Sequence, residues 1–448
     1  MTEFHLAHPR SFNTSDLGTQ KTGACLWAAD AVMQARPGRK CLIVAPLSSI
    51  HDVWAHEIQH DFMGRRTCAI LHGTAAQRSK ALAKDVDFYV INWDGPAIGA
   101  RRKGNKIVFG GFTLELMRKE GLDIIIYDEV TVLGDPRSVR SRVAFALFKN
   151  KPFIWAITGT PASQRPDQAY GPAKLVNDAK GLTFTAFRDS VMINIDGKWL
   201  RRPNHKEKVA ELLQPAVRFT QEECTDLPEM FPPQDRFAKL SDMQKTALTD
   251  LKREMQVKLE SGTITAIGEG ALRTKALQIC CGFLYDNKHM AHALDCKSRL
   301  AVLDEIVEQC ERKILVFAPF TAAVEMLYNH LRKNHECCMV HGGVAQKQRH
   351  EYFSAFQQPD SPLRIIVAQA STMAHSLTLT EANVTIWYAP IDCTETYAQS
   401  NKRTHRPGQE YPTSYFHIYS SALEKEIYKR RAEDIEIQGA ILKLLEEK

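Results

Sequence analysis

The sequence predicts an α/β protein made of two parallel-sheet lobes with helical insertions between them. Three observations point there. Short apolar runs, each halted by a polar or proline-bearing turn, alternate with helical patterns through residues 39–161. Strands alternating with helices make a parallel sheet covered on both faces. The same alternation restarts at Lys313 and runs to Tyr388, while between about Arg165 and Lys297 it weakens into helical patches. At 448 residues the chain is too long for one ordinary core. The expected divisions are an N-terminal lobe over 1–225, with a helical insertion from about 165, a helical protrusion or linker over 226–296, and a C-terminal lobe over 297–448.

The first informative stretch is Ser15-Asp-Leu-Gly18-Thr19-Gln20-Lys21-Thr22, followed by the helical pattern Ala24, Leu26, Trp27, Ala28, Val32. A glycine-bearing turn that ends in Lys-Thr and opens a helix suits a phosphate. Backbone N–H groups of Gly18, Thr19 and Gln20 would cradle it, Lys21 would reach the outer phosphates, and the Thr22 hydroxyl would hold Mg²⁺. The general pattern has glycine where Ser15 and Gln20 stand, and Gln20 carries a side chain where such a loop needs bare backbone. Taken alone, the stretch also fits an ordinary helix start.

Arg39 to Ala45 reads as a buried strand leaving through Pro46-Leu47-Ser48, with an amphipathic helix after it (Val53, Trp54, Ile58). Asp87 to Asn92 is a second strand and Leu122 to Tyr127 a third. The third ends in Asp128-Glu129, two carboxylates at the carboxyl edge of a sheet, where ligands of open α/β sheets bind. Asp128 can hold Mg²⁺ and Glu129 can polarise an attacking water. An acidic exit from a strand is the plainer reading of the same pair. Phe153 to Ile157 repeats the pattern and leaves through Thr158-Gly159-Thr160-Pro161.

In the middle, Gln244 to Glu260 and Leu272 to Cys280 read as helices, with Arg201, Arg202 and Lys206 as either a solvated face or phosphate contacts. The second lobe has strands at Lys313–Phe317, Cys338–His341, Arg364–Ala368 and Val384–Tyr388, with helices Thr321 to Leu331 and Gln346 to Phe356. Ser371 and Thr372 lie in the turn after the third of these strands. The tail from Leu423 to Leu445 is a charged amphipathic helix.

Gln399, Arg403 and Arg406 follow a four-then-three spacing just before Pro407-Gly408-Gln409. On a helix that spacing puts all three on one face, and Pro-Gly ends the helix at once. Two guanidiniums on one short face are poor core material and suit charge on a phosphate in transfer. An isolated pair of this kind is also an ordinary solvated helix end.

Composition sets the outer limits. The chain is 44% hydrophobic and 25% charged, as globular proteins are. No apolar run reaches the ~20 residues that span a bilayer, so no membrane partner is expected. The start, Met1-Thr-Glu-Phe-His, lacks the basic-then-apolar pattern of a signal peptide. Eleven scattered cysteines without Cys-x-x-Cys read as reduced thiols in a cytoplasm, not a zinc site. The net charge of +6 permits a nucleotide or nucleic-acid partner without requiring one.

The order of loop-lysine, strand-Asp-Glu, strand-Thr-Gly-Thr-Pro and terminal Gln399…Arg403…Arg406-x-Gly408-Gln409 resembles superfamily 2 helicases. Within them it looks most like the Swi/Snf-type double-stranded DNA translocases, over nearly the whole chain. The resemblance implies two RecA-like lobes. It implies a Walker A loop at Gly18, Lys21 and Thr22 and a Walker B pair at Asp128 and Glu129. Pro46 and Ser48 would grip one DNA strand by its phosphates. Thr158 and Thr160 would couple the ATP state to that grip. The loops of the second lobe around Ser371 and Thr372 would hold DNA and the ribose side of ATP. His375, Ser376 and Thr378 stand where the family more often has glycine and asparagine. The family also places an adenine-recognising segment with a glutamine upstream of Walker A, and no glutamine precedes Ser15 here.

The implied mechanism puts ATP·Mg²⁺ between Lys21, Thr22 and Asp128 on one side and Arg403 and Arg406, with Gln399, on the other. Double-stranded or branched DNA lies along both lobes, and a monomer without accessory domains works as a bare motor. Compact viral or phage members of the class have that layout, which would place the chain in a host cytoplasm, remodelling forks or junctions. Two alternatives stay open: a strand-separating helicase with the same lobes, and a nucleic-acid clamp with weak or lost ATPase.

Overall fold

The apolar runs that mark strands in the first half of the sequence all lie in one sheet. The structure, a computed structural model, describes every residue except 17, 105, 163–164, 261–265, 287–289, 374–377 and 447–448. For 254–260, 266–269 and 446 it describes the backbone only. The strands of the first half are β1 (Arg10–Asn13), β2 (Lys40–Ala45), β3 (Cys68–Leu71), β4 (Phe88–Asn92), β5 (Arg101–Lys103), β6 (Lys106–Val108), β7 (Leu122–Tyr127), β8 (Phe153–Ile157), β9 (Met192–Ile195), β10 (Lys198–Arg201) and β11 (Ala216–Val217). Seven of them form a sheet in the order β11-β1-β8-β7-β2-β4-β3, and every pairing in it is parallel. The pairs β5–β6 and β9–β10 are antiparallel hairpins outside it.

The strands read as unbroken apolar runs because both faces are covered. Leu42, Val44, Ile125 and Tyr127 enter one core, while Cys41, Ile43, Ala45, Ile124 and Ile126 enter the other. Since the strands are parallel, the residues that follow β1, β8, β7, β2 and β4 all emerge from one edge. The candidate residues of this half stand on that edge.

Strand β1 departs from the apolar pattern. Only Phe12 in it is apolar, yet Ser11 and Asn13 are fully buried. Their side chains meet the two ring nitrogens of His5 at 3.0 and 3.3 Å, so a polar strand is buried without unmet polar groups.

The second half builds β12 (Gln234–Phe237), β13 (Phe283–Tyr285), β14 (Ala291–Ala293), β15 (Lys313–Phe317), β16 (Cys337–Val340), β17 (Ile365–Ala368), β18 (Ala382–Trp387) and β19 (Ser414–Tyr419). Six form a second sheet, β12-β19-β18-β15-β17-β16, again parallel throughout. Ile314 and Val316 face one core, Leu315 and Phe317 the other. The fold is thus α/β with two RecA-like parallel-sheet lobes; helices Phe184–Val191 and His205–Leu212 fall between β8 and β11, and Asp242–Glu260 and Ala266–Cys281 between β12 and β13.

Contacts divide the chain into Met1–Thr225 with Asp434–Lys448, and Asp226–Glu433. This corrects two expected boundaries. Residues 226–296 do not stand apart: β12 pairs with β19, and the Gln244 side-chain amide donates to Ile279 O at 2.7 Å, both in the second unit. The end of the C-terminal helix Ala422–Glu446 belongs to the first unit, because Ile441, Leu442 and Leu445 are buried in its core. Gln438 exchanges hydrogen bonds with the backbone of Ala162, and Asp434 pairs with Arg201 at 2.7 Å.

Candidate active site

After β1 the chain turns through residues 14–20 and enters the helix Lys21–Ala35. The turn is tied to the exit of β11. Thr14 N donates to Val217 O (2.8 Å), Asp16 N to Phe219 O (3.0 Å), and the Ser15 hydroxyl accepts from Phe219 N (3.0 Å). Ser15 is fully buried, so its hydroxyl fills the position where the phosphate-loop pattern has glycine and has a partner there. Gln20 holds φ 58° and ψ 36°, the left-handed region. The glycine of the pattern is thereby explained, and a side chain in that conformation costs about 1–2 kcal/mol. Gly18 is also at positive φ. The Thr19 hydroxyl donates to Asp16 O (2.8 Å), and Lys21 Nζ donates to Ser15 O at 2.5 Å, across the mouth of the loop. Thr22 is half-buried in the first helical turn, where N–H groups lack intrahelical acceptors.

Asp128 and Glu129 follow β7. Asp128 N donates to Val44 O (2.8 Å), and its carboxylate accepts the indole N–H of Trp54 at 2.9 Å. Burial pushes the Asp128 carboxyl above its ordinary value, opposed by the Trp54 N–H and the nearby charge of Lys21. Trp93 donates its indole N–H to Asp128 O (2.9 Å). Glu129 is left-handed at φ 46° and ψ 56°, a strained backbone of the kind stored at working sites.

Thr158 follows β8, with its N–H on Asn13 O (3.0 Å) and its hydroxyl accepting from Thr160 N (3.0 Å). A Cβ placed on Gly159 would stand 3.9 Å from both Lys21 Nζ and Ser15 O, so this turn lies directly over the loop. The Thr160 hydroxyl oxygen is buried with no partner among the described residues. Pro46 is buried at the end of β2, its carbonyl accepting from Ser49, while Ser48 is exposed. The first unit therefore gathers Lys21, Thr22, Asp128, Glu129, Thr158 and Thr160 at three neighbouring strand ends.

The second unit corrects one expectation. Gln399 lies on the helix Thr394–Asn401, but that helix stops before the arginines, which sit in the turns beyond it. The three side chains do not share one helical face. The cause is competition for carbonyls: the Tyr415 hydroxyl donates to Asn401 O (3.0 Å), Arg406 Nε takes Lys402 O, and Arg403 N turns back to Ser400 O (3.1 Å). Leu379 N on Arg403 O (3.0 Å), and the Gln409 side-chain amide on Thr404 O (2.8 Å), Thr380 O and Ala382 O, then hold the turn. Arg403 is fully buried. Arg406 Nε donates to Lys402 O (3.0 Å) and its NH1 to the Thr378 hydroxyl (3.3 Å); burial lowers its guanidinium to about 10, so it stays charged at neutral pH. Gln399 is nearly buried and donates to Glu395 (3.3 Å). Ser371 is exposed and Thr372 bonds to Gln369 O (2.7 Å), both in the turn after β17. His375 and Ser376 lie outside the described residues.

The helicase conserved C-terminal domain family matches residues 298–408, which span β15 to β18 and the arginine turn. A Caenorhabditis elegans protein named SWI/SNF-related matrix-associated actin-dependent regulator of chromatin subfamily A-like protein 1 homolog is 24% identical over 66% of this chain and 42% of its own length. The human SWI/SNF-related matrix-associated actin-dependent regulator of chromatin subfamily A member 1 is 24% identical over 47% of this chain and 22% of its own. These likenesses support a SWI/SNF-type superfamily 2 helicase or translocase. The chain spans less than half the length of either of those relatives. The "Probable global transactivator" of Orgyia pseudotsugata multicapsid polyhedrosis virus is 21% identical over 86% of this chain and 77% of its own length. The solved structure titled "Sulfolobus solfataricus SWI2/SNF2 ATPase core in complex with dsDNA" matches over 100% of this chain and 92% of its own, at 18% identity and a TM-score of 0.41.

The structural roles of three residues escape a reading of the sequence. Trp54 sits on a π-helical turn, Ile50–Ala55, that leads into the helix His56–Phe62; such wide turns recur at working sites. Trp93 backs Asp128, and Gln409 shapes the arginine turn. A tryptophan in the turn after each of β2 and β4 was the only signal for the first two. Arg201 and Arg202 are engaged by Asp434 and by the Asp189 and Met192 carbonyls, which gives both of them structural partners.

Proposed function

We propose that this chain is an ATP-driven translocase on double-stranded DNA, able to work at branched DNA such as forks and junctions. One observation carries the reading: the phosphate-loop sequence, the Asp-Glu pair and the Thr-Gly-Thr turn leave three adjacent parallel strands, with Gly159 stacked over Lys21 and Ser15. The donor set suits ATP and magnesium. Thr22 and Asp128 are hard oxygen ligands of the type Mg²⁺ takes, and the buried hydroxyl of Thr160 has no partner among the described residues. Bound there, Mg²⁺ would neutralise phosphate charge.

The protein groups divide the remaining work. Lys21 and the backbone N–H groups from Gly18 to Thr22 bind the outer phosphates. Glu129 orients the attacking water and accepts its proton. Arg403 and Arg406 act as arginine fingers, a role worth about three to five decades in rate. Ser48, Ser371 and Thr372 hold the DNA backbone, with Pro46 shaping the turn that presents Ser48, so sequence should matter little. Gln20 already has the backbone of the glycine it replaces, which favours turnover over an inactive clamp.

The test is phosphate release titrated against single-stranded, duplex and forked DNA, with wild type and Glu129→Gln. Duplex stimulation that Glu129→Gln loses, with triplex displacement but no unwinding of a plain duplex, is the expected result. Duplex binding with no stimulated turnover would leave a clamp, and unwinding of a plain duplex would make the chain a helicase.

A further inference from the structure

The hairpin of β5 and β6 belongs to none of the motifs above. It leaves the sheet after β4, on the same edge as Pro46 and Ser48, which end the neighbouring strand β2. Its base is held by backbone crossing. A Cβ on Gly99, at φ +97°, would collide with Gly110 O, so only glycine fits there. Thr113, fully buried, fastens the same base through bonds to Ile98 O (2.8 Å) and Pro96 O (2.9 Å).

The register then sorts the side chains. Arg101 pairs with Val108, Arg102 with Ile107, and Lys103 with Lys106. Alternation places Arg102 and Ile107 on one face and Arg101, Lys103, Lys106 and Val108 on the other. Ile107 packs against the first core, which turns the other face to solvent, and all four of its residues are exposed. Arg101, Lys103 and Lys106 have no carboxylate partner among the described residues, whereas Arg39, Lys40 and Arg66 of the same unit are paired. Lys103 and Lys106 stand directly opposite each other, a like-charge pair that destabilises a hairpin unless an anion lies across it. Neighbouring cations on one strand face lie about 7 Å apart, which fits a row of phosphates better than a single carboxylate.

We infer that Arg101, Lys103 and Lys106 form a phosphate-binding face that holds the backbone of duplex DNA beside the ATPase edge of the first unit. This rests on the translocase reading. Being electrostatic and on the sugar-phosphate side, the contact adds affinity without sequence preference.

The experiment uses the full chain and a mixed-sequence duplex of about 30 bp, with affinity measured from about 50 to 200 mM salt. In the Arg101→Gln/Lys103→Gln/Lys106→Gln variant, the slope of log affinity against log salt should fall by about 2–3, at roughly 0.9 for each phosphate no longer neutralised. Each single variant should lower it by about 1. Melting temperature and DNA-free phosphate release should match wild type, since the three side chains are exposed and none is among the nucleotide groups. If wild type binds the duplex and the triple variant keeps the same slope, the hairpin assignment fails while the translocase reading stands. If wild type binds no duplex at any salt, the translocase reading fails and takes the hairpin with it. Loss of binding to anionic vesicles with unchanged duplex affinity would assign the face to lipid and overturn the inference.

Discussion

Replacing Trp54 with phenylalanine isolates one hydrogen bond. Trp54 is fully buried, so the benzene ring keeps most of its packing, and the change deletes the indole N–H that Asp128 accepts at 2.9 Å. A hydrogen bond to a charged group is worth about 1.5–3 kcal/mol. At about 1.4 kcal/mol per decade, that is about one to two decades in whatever Asp128 must do as a carboxylate of fixed orientation. Residues that orient a metal ligand cost about 10–100-fold when removed, the same range. Phosphate release at saturating ATP and duplex, titrated with Mg²⁺, should show half-saturation displaced upward by about one to two decades in Trp54→Phe. Affinity for DNA should not move, because Trp54 faces the carboxylate. An unchanged Mg²⁺ requirement with unchanged turnover would refute the reasoning, since Asp128 would then need no orientation.

Other outcomes follow from burial. His5 is buried and its ring is held at about 3, against 6.5 when exposed. Because the folded value lies below the unfolded one, neutral His5 supports the fold in full above about pH 6.5 and loses that support as pH falls toward 3. Between about pH 7 and pH 5 this amounts to about 2 kcal/mol, and His5→Gln should flatten the pH dependence of denaturation by that much. Glu424→Gln should cost about 3–5 kcal/mol by chemical denaturation, because Arg299 is fully buried and Glu424 at 2.7 Å is its charge partner. Gln409→Ala strands the carbonyls of Thr380, Ala382 and Thr404; a loss of about 1–3 kcal/mol in the second unit is expected, with slower turnover as the arginine turn loosens.

The two sheets were legible because parallel strands buried on both faces leave long apolar runs, as at Lys40–Ala45, Leu122–Tyr127 and Lys313–Phe317. A strand stabilised by side-chain hydrogen bonding was not. Arg10–Asn13 has one apolar residue, and its burial depends on His5, whose position no local pattern reveals. The spacing of Gln399, Arg403 and Arg406 obeyed a helical rule, but the carbonyls that would have continued the helix were claimed by the side chains of Tyr415 and Arg406, the first of these a tertiary event. The apolar stripe of the C-terminal helix was equally visible, but not which core would receive Ile441, Leu442 and Leu445. Asp128 and Glu129 could be placed from the sequence because a strand end in a parallel sheet fixes the edge; Trp54 could not, since its role depends on a widened turn of helix.

The central proposal is that Arg406 supplies charge for phosphoryl transfer. Single-turnover phosphate release in excess duplex, compared between wild type and Arg406→Lys, tests this most directly. Lysine keeps the charge but not the planar donor fork, so ATP affinity should stay within about threefold while release slows by about three decades. Release at the wild-type rate, with ATP and DNA binding intact, would contradict it.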